Sequence, residues 1–147
     1  MSVFTETERA YLHQRRLARV ATVGTNGTPH VTPVGMWSPR AEADLVQVSG
    51  RDFTATKKYR DVAATGRAAI VIDDLASTDP WRPRGIEIRG HAQTVAGPEA
   101  CIVIHPTVSS VRAWMTPTPA PEVSVFRSTM KSQFHRRRLA TTQQPAS

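Results

Sequence analysis

The chain has 147 residues, with 19 Lys or Arg against 12 Asp or Glu, a formal net charge of +7. That length predicts one domain, which buries ~70% of the surface its unfolded chain exposes and needs neither disulfides nor metal to fold. Cys101 is the single cysteine, which excludes an intramolecular disulfide and a zinc site built on paired cysteines.

Apolar runs of only a few residues predict no membrane span. The start, Met1-Ser2-Val3-Phe4-Thr5-Glu6, has neither the basic residues nor the apolar stretch of a secretory signal, so a cytoplasmic location is expected. The charge is uneven. Residues 1–122 hold 14 Lys or Arg and all 12 acidic residues, a balance of +2. Residues 123–147 hold Arg127, Lys131, Arg136, Arg137 and Arg138 with no carboxylate side chain, a balance of +5. The basic excess is therefore poor evidence for what the first part binds, and no nucleic-acid partner is expected of it.

Thr5 followed three residues later by Glu8 predicts a capped helix start, with Ala10, Tyr11 and Leu12 following unbroken. Residues 17–23 are rich in β-branched side chains and stop at Gly24-Thr25-Asn26-Gly27, a turn signal. A strand over 29–37 then completes a hairpin. A polar stretch, 38–44, leads to a third strand over 45–49. Residues 53–65 return to helical spacing, with Ala55, Tyr59, Val62 and Ala63 on one face and Gly66 as the stop.

Residues 68–72 are continuously apolar, a strand buried on both faces. The Asp-, Pro- and Ser-rich stretch 73–83 predicts a loop. Beyond it Ile86, Ile88, Gly90 and Ala92 alternate with Glu87, Arg89, His91 and Gln93, a strand with two unlike faces. Residues 100–105 and 108–114 supply two further short strands. Thr116-Pro117-Thr118-Pro119-Ala120-Pro121 predicts an extended linker. The expected organisation is a domain over 1–115, a linker over 116–122 and a basic tail over 123–147. Six strands with two inserted helices favour a small β barrel.

Candidate chemistry is sparse. Cys101 and His105 flank Ile102-Val103-Ile104, a strand sequence that sets their side chains ~13 Å apart, too far to share a proton or a metal. The other histidines show no ligand spacing, so no metal site and no catalytic residue is assigned. Asp73 and Asp74 read as a solvated strand end. The start of the second helix is more informative. Thr54, Thr56, Lys57 and Lys58 bring hydroxyls and ammonium groups to exposed backbone N–H groups and the positive dipole end, a place for phosphate. Pro80-Trp81-Arg82-Pro83-Arg84-Gly85 offers an aromatic ring and guanidinium groups for a planar or anionic ligand, or a subunit contact. Two prolines in Pro29-His30-Val31-Thr32-Pro33-Val34 predict an edge strand, where free N–H and C=O groups can pair with a ring that has amide-like edges.

Together these segments resemble the pyridoxamine 5′-phosphate oxidase-like split-barrel family, in particular its deazaflavin-dependent class. The carrying residues are Arg16-Leu17-Ala18-Arg19-Val20-Ala21-Thr22-Val23-Gly24, Gly27-Thr28-Pro29-His30-Val31-Thr32-Pro33-Val34, Lys58-Tyr59-Arg60-Asp61 and Arg84-Gly85-Ile86-Glu87-Ile88-Arg89-Gly90. The resemblance implies a homodimer of six-stranded split barrels, mainly β with inserted helices, holding a flavin-like cofactor at each subunit junction. It implies that His30, Val31, Thr32 and Pro33 line the ring, with Val48 and Ser49 beside it. It places Thr56, Lys57 and Lys58 at the cofactor phosphate, and Trp81 and Arg84 at the junction from the partner subunit. The cofactor so implied is coenzyme F420, with FMN as the alternative. The reaction is hydride transfer to a small conjugated or aromatic substrate, against non-catalytic binding of a flavin or tetrapyrrole on the same fold.

Two departures stand out. Asp61 replaces the family's usual Asn, and a shift of one residue would exchange Lys57 with the favoured Lys58. The tail matches no part of the family. Phe126, Met130 and Phe134 recur every four residues beside Arg127, Lys131 and Arg138, a pattern for touching a polyanion or for covering a dimer.

Overall fold

The computed structural model describes residues 2–40 and 43–114. The expected linker and tail lie outside the described residues. Within them are two helices, α1 (Glu6–Gln14) and α2 (Lys57–Thr65), and seven strands. The strands are β1 (Ala18–Val23), β2 (Pro29–Val34), β3 (Trp37–Arg40), β4 (Leu45–Ser49), β5 (Arg67–Thr78), β6 (Trp81–Val95) and β7 (Cys101–Ala113). All neighbours pair antiparallel in one sheet of order β2-β1-β5-β6-β7-β4-β3.

That order forces the sheet to curl. Strands β2 and β3 are at its opposite edges, which in a flat sheet lie ~29 Å apart at ~4.8 Å per strand. Only Gly35 and Met36 join them, and three Cα steps of ~3.8 Å reach ~11 Å at most. The two edges therefore meet across a narrow seam, the half-closed barrel of the split-barrel fold. Val34 of β2 and Trp37 of β3 accordingly pack into the same core. The run expected as one strand over 29–37 is two strands, because the chain crosses from one edge to the other at Gly35.

The barrel interior is aliphatic. Val20, Val46, Val48, Ile70, Ile72, Ile86, Ile88, Ile102 and Ile104 are all fully buried. One such residue sequestered from water contributes roughly 1.5–3 kcal/mol, which makes this layer the main stabilising element. At the start of α1 the predicted capping box forms, with Thr5 Oγ1 accepting from Glu8 N–H and Glu8 Oε2 accepting from Thr5 N–H.

Three further expectations are corrected. Residues 73–83 are not a loop but the outer half of the β5–β6 hairpin, since Asp74 stands opposite Arg84 and pairs with it. The charges that resembled turn residues are cross-strand ion pairs. The two short strands over 100–105 and 108–114 are one strand, β7, whose register with β6 shifts between Ile88 and Gly90. The second helix begins later than its spacing predicts. Phe53–Ala55 form a 3-10 turn, α2 starts after Thr56, and Ala55 and Ala63 are exposed while Asp61 and Val62 are buried.

Candidate functional site

The centre of the site is a buried carboxylate. Thr56 caps α2, its Oγ1 accepting from Tyr59 N–H, and Gly66 ends the helix in the left-handed conformation at φ 66°. Nine residues of helix bring Asp61 inward, where only 6% of it is exposed. Lys57 Nζ, one turn earlier, donates to both of its oxygens at 2.8 and 2.9 Å, and Thr22 Oγ1 on β1 donates to Oδ2 at 2.9 Å. Thr65 Oγ1 donates to Val23 O at 2.8 Å, so a second bond ties the helix to the same strand. Burial pushes the Asp61 carboxyl up, but the hydrogen bonds from Lys57 and Thr22, with Lys57 and His30 nearby, hold it below the usual carboxylate range. Gly24 is required here, because a Cβ at that position would lie 2.8 Å from Asp61 Oδ1.

His30 of β2 stands directly opposite Thr22. Its Nδ1 is buried without a hydrogen-bond partner, and so is Thr32 Oγ1 two residues along the same face. Orphaned buried polar atoms cost roughly 1–3 kcal/mol each, so this pair marks where a polar ligand edge or a water is needed. The fold thus brings His30 and Lys57 together around Asp61.

The other ring-lining candidates are placed differently. Val31 and Pro33 are on the opposite face of β2 from His30 and Thr32, and Val31 is 61% exposed. Pro29 and Pro33 have no N–H to give, which suits nitrogens turned to the free edge; Val31, of the same parity, turns its N–H there too. Val48 has its side chain wholly in the core. Ser49 is half-buried beside the seam, donating its N–H to Met36 O at 2.8 Å. At the helix start Thr56 serves the cap and also donates Oγ1 to Phe53 O at 2.7 Å. Lys57 is committed to Asp61, whereas Lys58 Nζ lies 5.3 Å from the centre of the Phe53 ring.

Arg84 belongs to a second group at the base of the β5–β6 hairpin. Its Nε and one terminal nitrogen grip both oxygens of Asp74 at 2.7 and 2.9 Å. Arg15 reaches Asp74 from the end of α1 at 2.5 Å, and Tyr11 donates its hydroxyl at 2.9 Å. The Arg84 hydrogen bonds hold the Asp74 carboxyl below its ordinary range despite burial. Burial and the Asp74 charge push the Tyr11 phenol up to about 12. Trp81, further out on the same hairpin, is 66% exposed.

Sequence reasoning took Asp74 for a solvated strand end and marked Asp61 only as a departure from the family's Asn, and both are hubs. For Asp61 the available signal was Lys57 one helical turn earlier, the spacing of an intrahelical ion pair. For Asp74 it was the Asp79-Pro80 turn that sets Arg84 opposite. Cys101 is a buried core residue whose thiol is pushed up by burial. Among the described residues no group of three or more His, Cys, Asp or Glu could hold a metal ion. Nor is any helix among them long and apolar enough to cross a membrane.

A curled antiparallel sheet split at one seam, with two helices inserted, defines the class of split barrels. Residues 4–138 match the family described as pyridoxamine 5′-phosphate oxidase, and the chain belongs to it; the match takes in the linker and much of the tail, which the sequence reading left outside the family. A relative from Streptomyces rimosus subsp. rimosus, a 5a,11a-dehydrotetracycline/5a,11a-dehydrooxytetracycline reductase, is 38% identical over 92 residues. That alignment spans 63% of this chain and 64% of the relative, just under two thirds of its length. Among solved structures, an FMN-binding protein from Syntrophomonas wolfei subsp. wolfei superposes with a TM-score of 0.57 at 11% identity, covering 75% of this chain and 85% of that one. A structure described as an F420 reductase superposes with a TM-score of 0.54 at 19% identity, covering 71% and 96%. At these identities the structural likeness speaks for the fold.

Proposed function

We propose that this protein is an oxidoreductase that binds a flavin-type cofactor, coenzyme F420 in preference to FMN, and reduces a small conjugated or aromatic substrate as a homodimer. The observation that carries the reading is the 38% identity to a reductase of this family, over 92 residues. The site fits such a cofactor. His30 Nδ1 and Thr32 Oγ1 are buried polar atoms in need of partners, and β2 has a free backbone edge beside them.

In this reading the flavin-type ring supplies the hydride chemistry when bound, and the chain supplies position and shelter. His30, Thr32 and the Val31 N–H meet the polar edge of the ring, while Ser49 flanks it. Thr56 orders the first turn of α2, and Lys58 supplies the cation for a cofactor phosphate there. Lys57 is held by Asp61 and sets the angle of α2 against β1. Trp81 and Arg84 act at the subunit junction, with Arg84 fixing the hairpin that carries Trp81.

Titration of the purified protein with F420, followed by the cofactor's fluorescence, tests the assignment. Saturable binding at micromolar cofactor is expected, with weaker binding of FMN; the reverse order would assign FMN instead. Single-turnover mixing of the reduced complex with quinones, nitro compounds and enones tests reaction. Oxidation faster than the protein-free control is expected for at least one class. Oxidation no faster than that control throughout would leave binding alone.

A further inference from the structure

The outer wall of the barrel is not evenly polar. Residues 68–72, expected to be buried on both faces, are buried only toward the interior; Ala69 and Val71, on the outer face, are half-exposed. On β4 the outer face is more elaborate. Val46 and Val48 point inward and are fully buried, so Leu45, Gln47 and Ser49 point outward. Gln47 stands opposite Val103 on β7, and Leu45 stands opposite Arg40 on β3. Leu45, Gln47, Arg40 and Val103, with Pro39, Ala43 and His13 from the last turn of α1, line a cavity of about 540 Å³. Small-molecule sites span ~300–1,000 Å³.

The lining has two chemically distinct parts. Pro39, Ala43, Leu45 and Val103 form an apolar wall, and Arg40, Gln47 and His13 bring polar groups to it. Arg40 Nε donates to Gln47 Oε1 at 3.1 Å, and the Gln47 amide also bonds the buried Cys101 thiol. Gln47 is thus anchored on one side and holds Arg40 on the other. A guanidinium has five N–H donors and this bond occupies one, so both terminal nitrogens keep theirs. No Asp or Glu lines the cavity, and among the described residues no carboxylate pairs with Arg40. Arg15, Arg19 and Arg84, by contrast, each close on an aspartate. A neutral amide fixes the position of a guanidinium without cancelling its charge.

We propose that this cavity binds a small organic carboxylate with an apolar body, at a site separate from that of the flavin-type cofactor. The carboxylate meets the two terminal nitrogens of Arg40, a bidentate charge-assisted pair that a neutral amide makes only in part. The apolar body covers Leu45, Val103, Pro39 and Ala43, and His13 supplies a further nitrogen donor from α1. Water alone satisfies Arg40 and gains nothing from the apolar wall; a ligand with both parts satisfies each. None of the residues assigned above to the cofactor lines the cavity. Ser49, which flanks the ring in that reading, is two residues further along the same face of β4, ~7 Å away.

Isothermal titration of the full chain with naphthoate, and with naphthamide as its uncharged match, tests the site. One saturable naphthoate per chain is expected, bound about tenfold more tightly than naphthamide. Arg40→Gln is expected to bring naphthoate down to the level of naphthamide at unchanged melting temperature, since Arg40 is exposed. Val103→Trp, which fills the cavity, is expected to weaken both probes together. Lys58→Ala, and saturation with F420 or FMN, are expected to leave naphthoate affinity unchanged. Circular dichroism and thermal melting establish that each variant is folded. Equal affinity of wild type for the two probes, or no binding at millimolar naphthoate, would overturn the site without recourse to any variant. Naphthoate binding undiminished by Arg40→Gln would overturn it too, as would displacement of naphthoate by F420 or FMN, which would put the carboxylate at the cofactor site. Each of these failures leaves the oxidoreductase reading standing.

Discussion

Asp61→Asn is the most informative single substitution, because it removes one charge and changes little else. The native carboxylate is 6% exposed and accepts three hydrogen bonds, two from Lys57 and one from Thr22. Hydrogen bonds to a charged group contribute roughly 1.5–3 kcal/mol each when buried. The Lys57 side chain is 44% exposed, so its ammonium can return to water, and its two bonds count for less than that. Asn keeps one acceptor for Thr22 or Lys57, which leaves a net cost of about 2 kcal/mol.

The cost also has a pH signature. The folded carboxyl is held below its ordinary value, so its contribution is fully present above the unfolded value near ~3.9 and is lost as pH falls through the folded one. The stability gap between wild type and Asp61→Asn should therefore be full at pH 7 and narrow below about pH 4. Asp74 is common to both proteins and cancels in the difference. Urea unfolding at pH 7, 5 and 3.5 measures it, with a melting-temperature drop of about 6 °C expected at pH 7. A gap absent at pH 7, or the same at every pH, would refute the buried ion pair as a stabilising element.

Four other outcomes follow from the same geometry. Asp74→Ala leaves Tyr11, Arg15 and Arg84 without their shared acceptor and should cost about 3 kcal/mol, with hydrogen exchange accelerating in the β5–β6 hairpin before the barrel. Gly90→Ala should cost more than ~2 kcal/mol in thermal or urea unfolding, because its methyl would overlap the His105 carbonyl and force β6 from β7. Lys58→Ala should weaken binding of a phosphorylated cofactor about tenfold in a fluorescence titration at unchanged melting temperature, as loss of one charge-assisted contact predicts. Lys57→Ala should instead lower the melting temperature, since its ammonium is bound to Asp61. Equal effects of the two lysines on affinity would remove the distinction drawn between them.

Much of the fold is written in short-range patterns. The capping box of α1, the Gly24-Thr25-Asn26-Gly27 turn and the alternation from Ile86 to Ala92 depend on neighbours a few residues apart, and each forms as its pattern predicts. The helix-start residues Thr56, Lys57 and Lys58 were legible for the same reason. The outer hairpin was not. Asp73, Asp74 and Pro83 signal a loop locally, and only the pairing of Asp74 with Arg84 ten residues on, and of Asp73 with Arg19 on another strand, makes them strand residues.

The sequence alone thus determined the family, both helices and the inner parts of the strands, because those follow from local spacing and residue type. It also placed the basic excess of the +7 chain largely beyond residue 122. The tertiary structure decided which charges are free. Lys57 is drawn onto a buried Asp61 and Lys58 is not, and Arg84 turns back onto Asp74. Those assignments depend on which strand passes beneath the helix and which residue stands across a hairpin, contacts that only the closed sheet brings within reach.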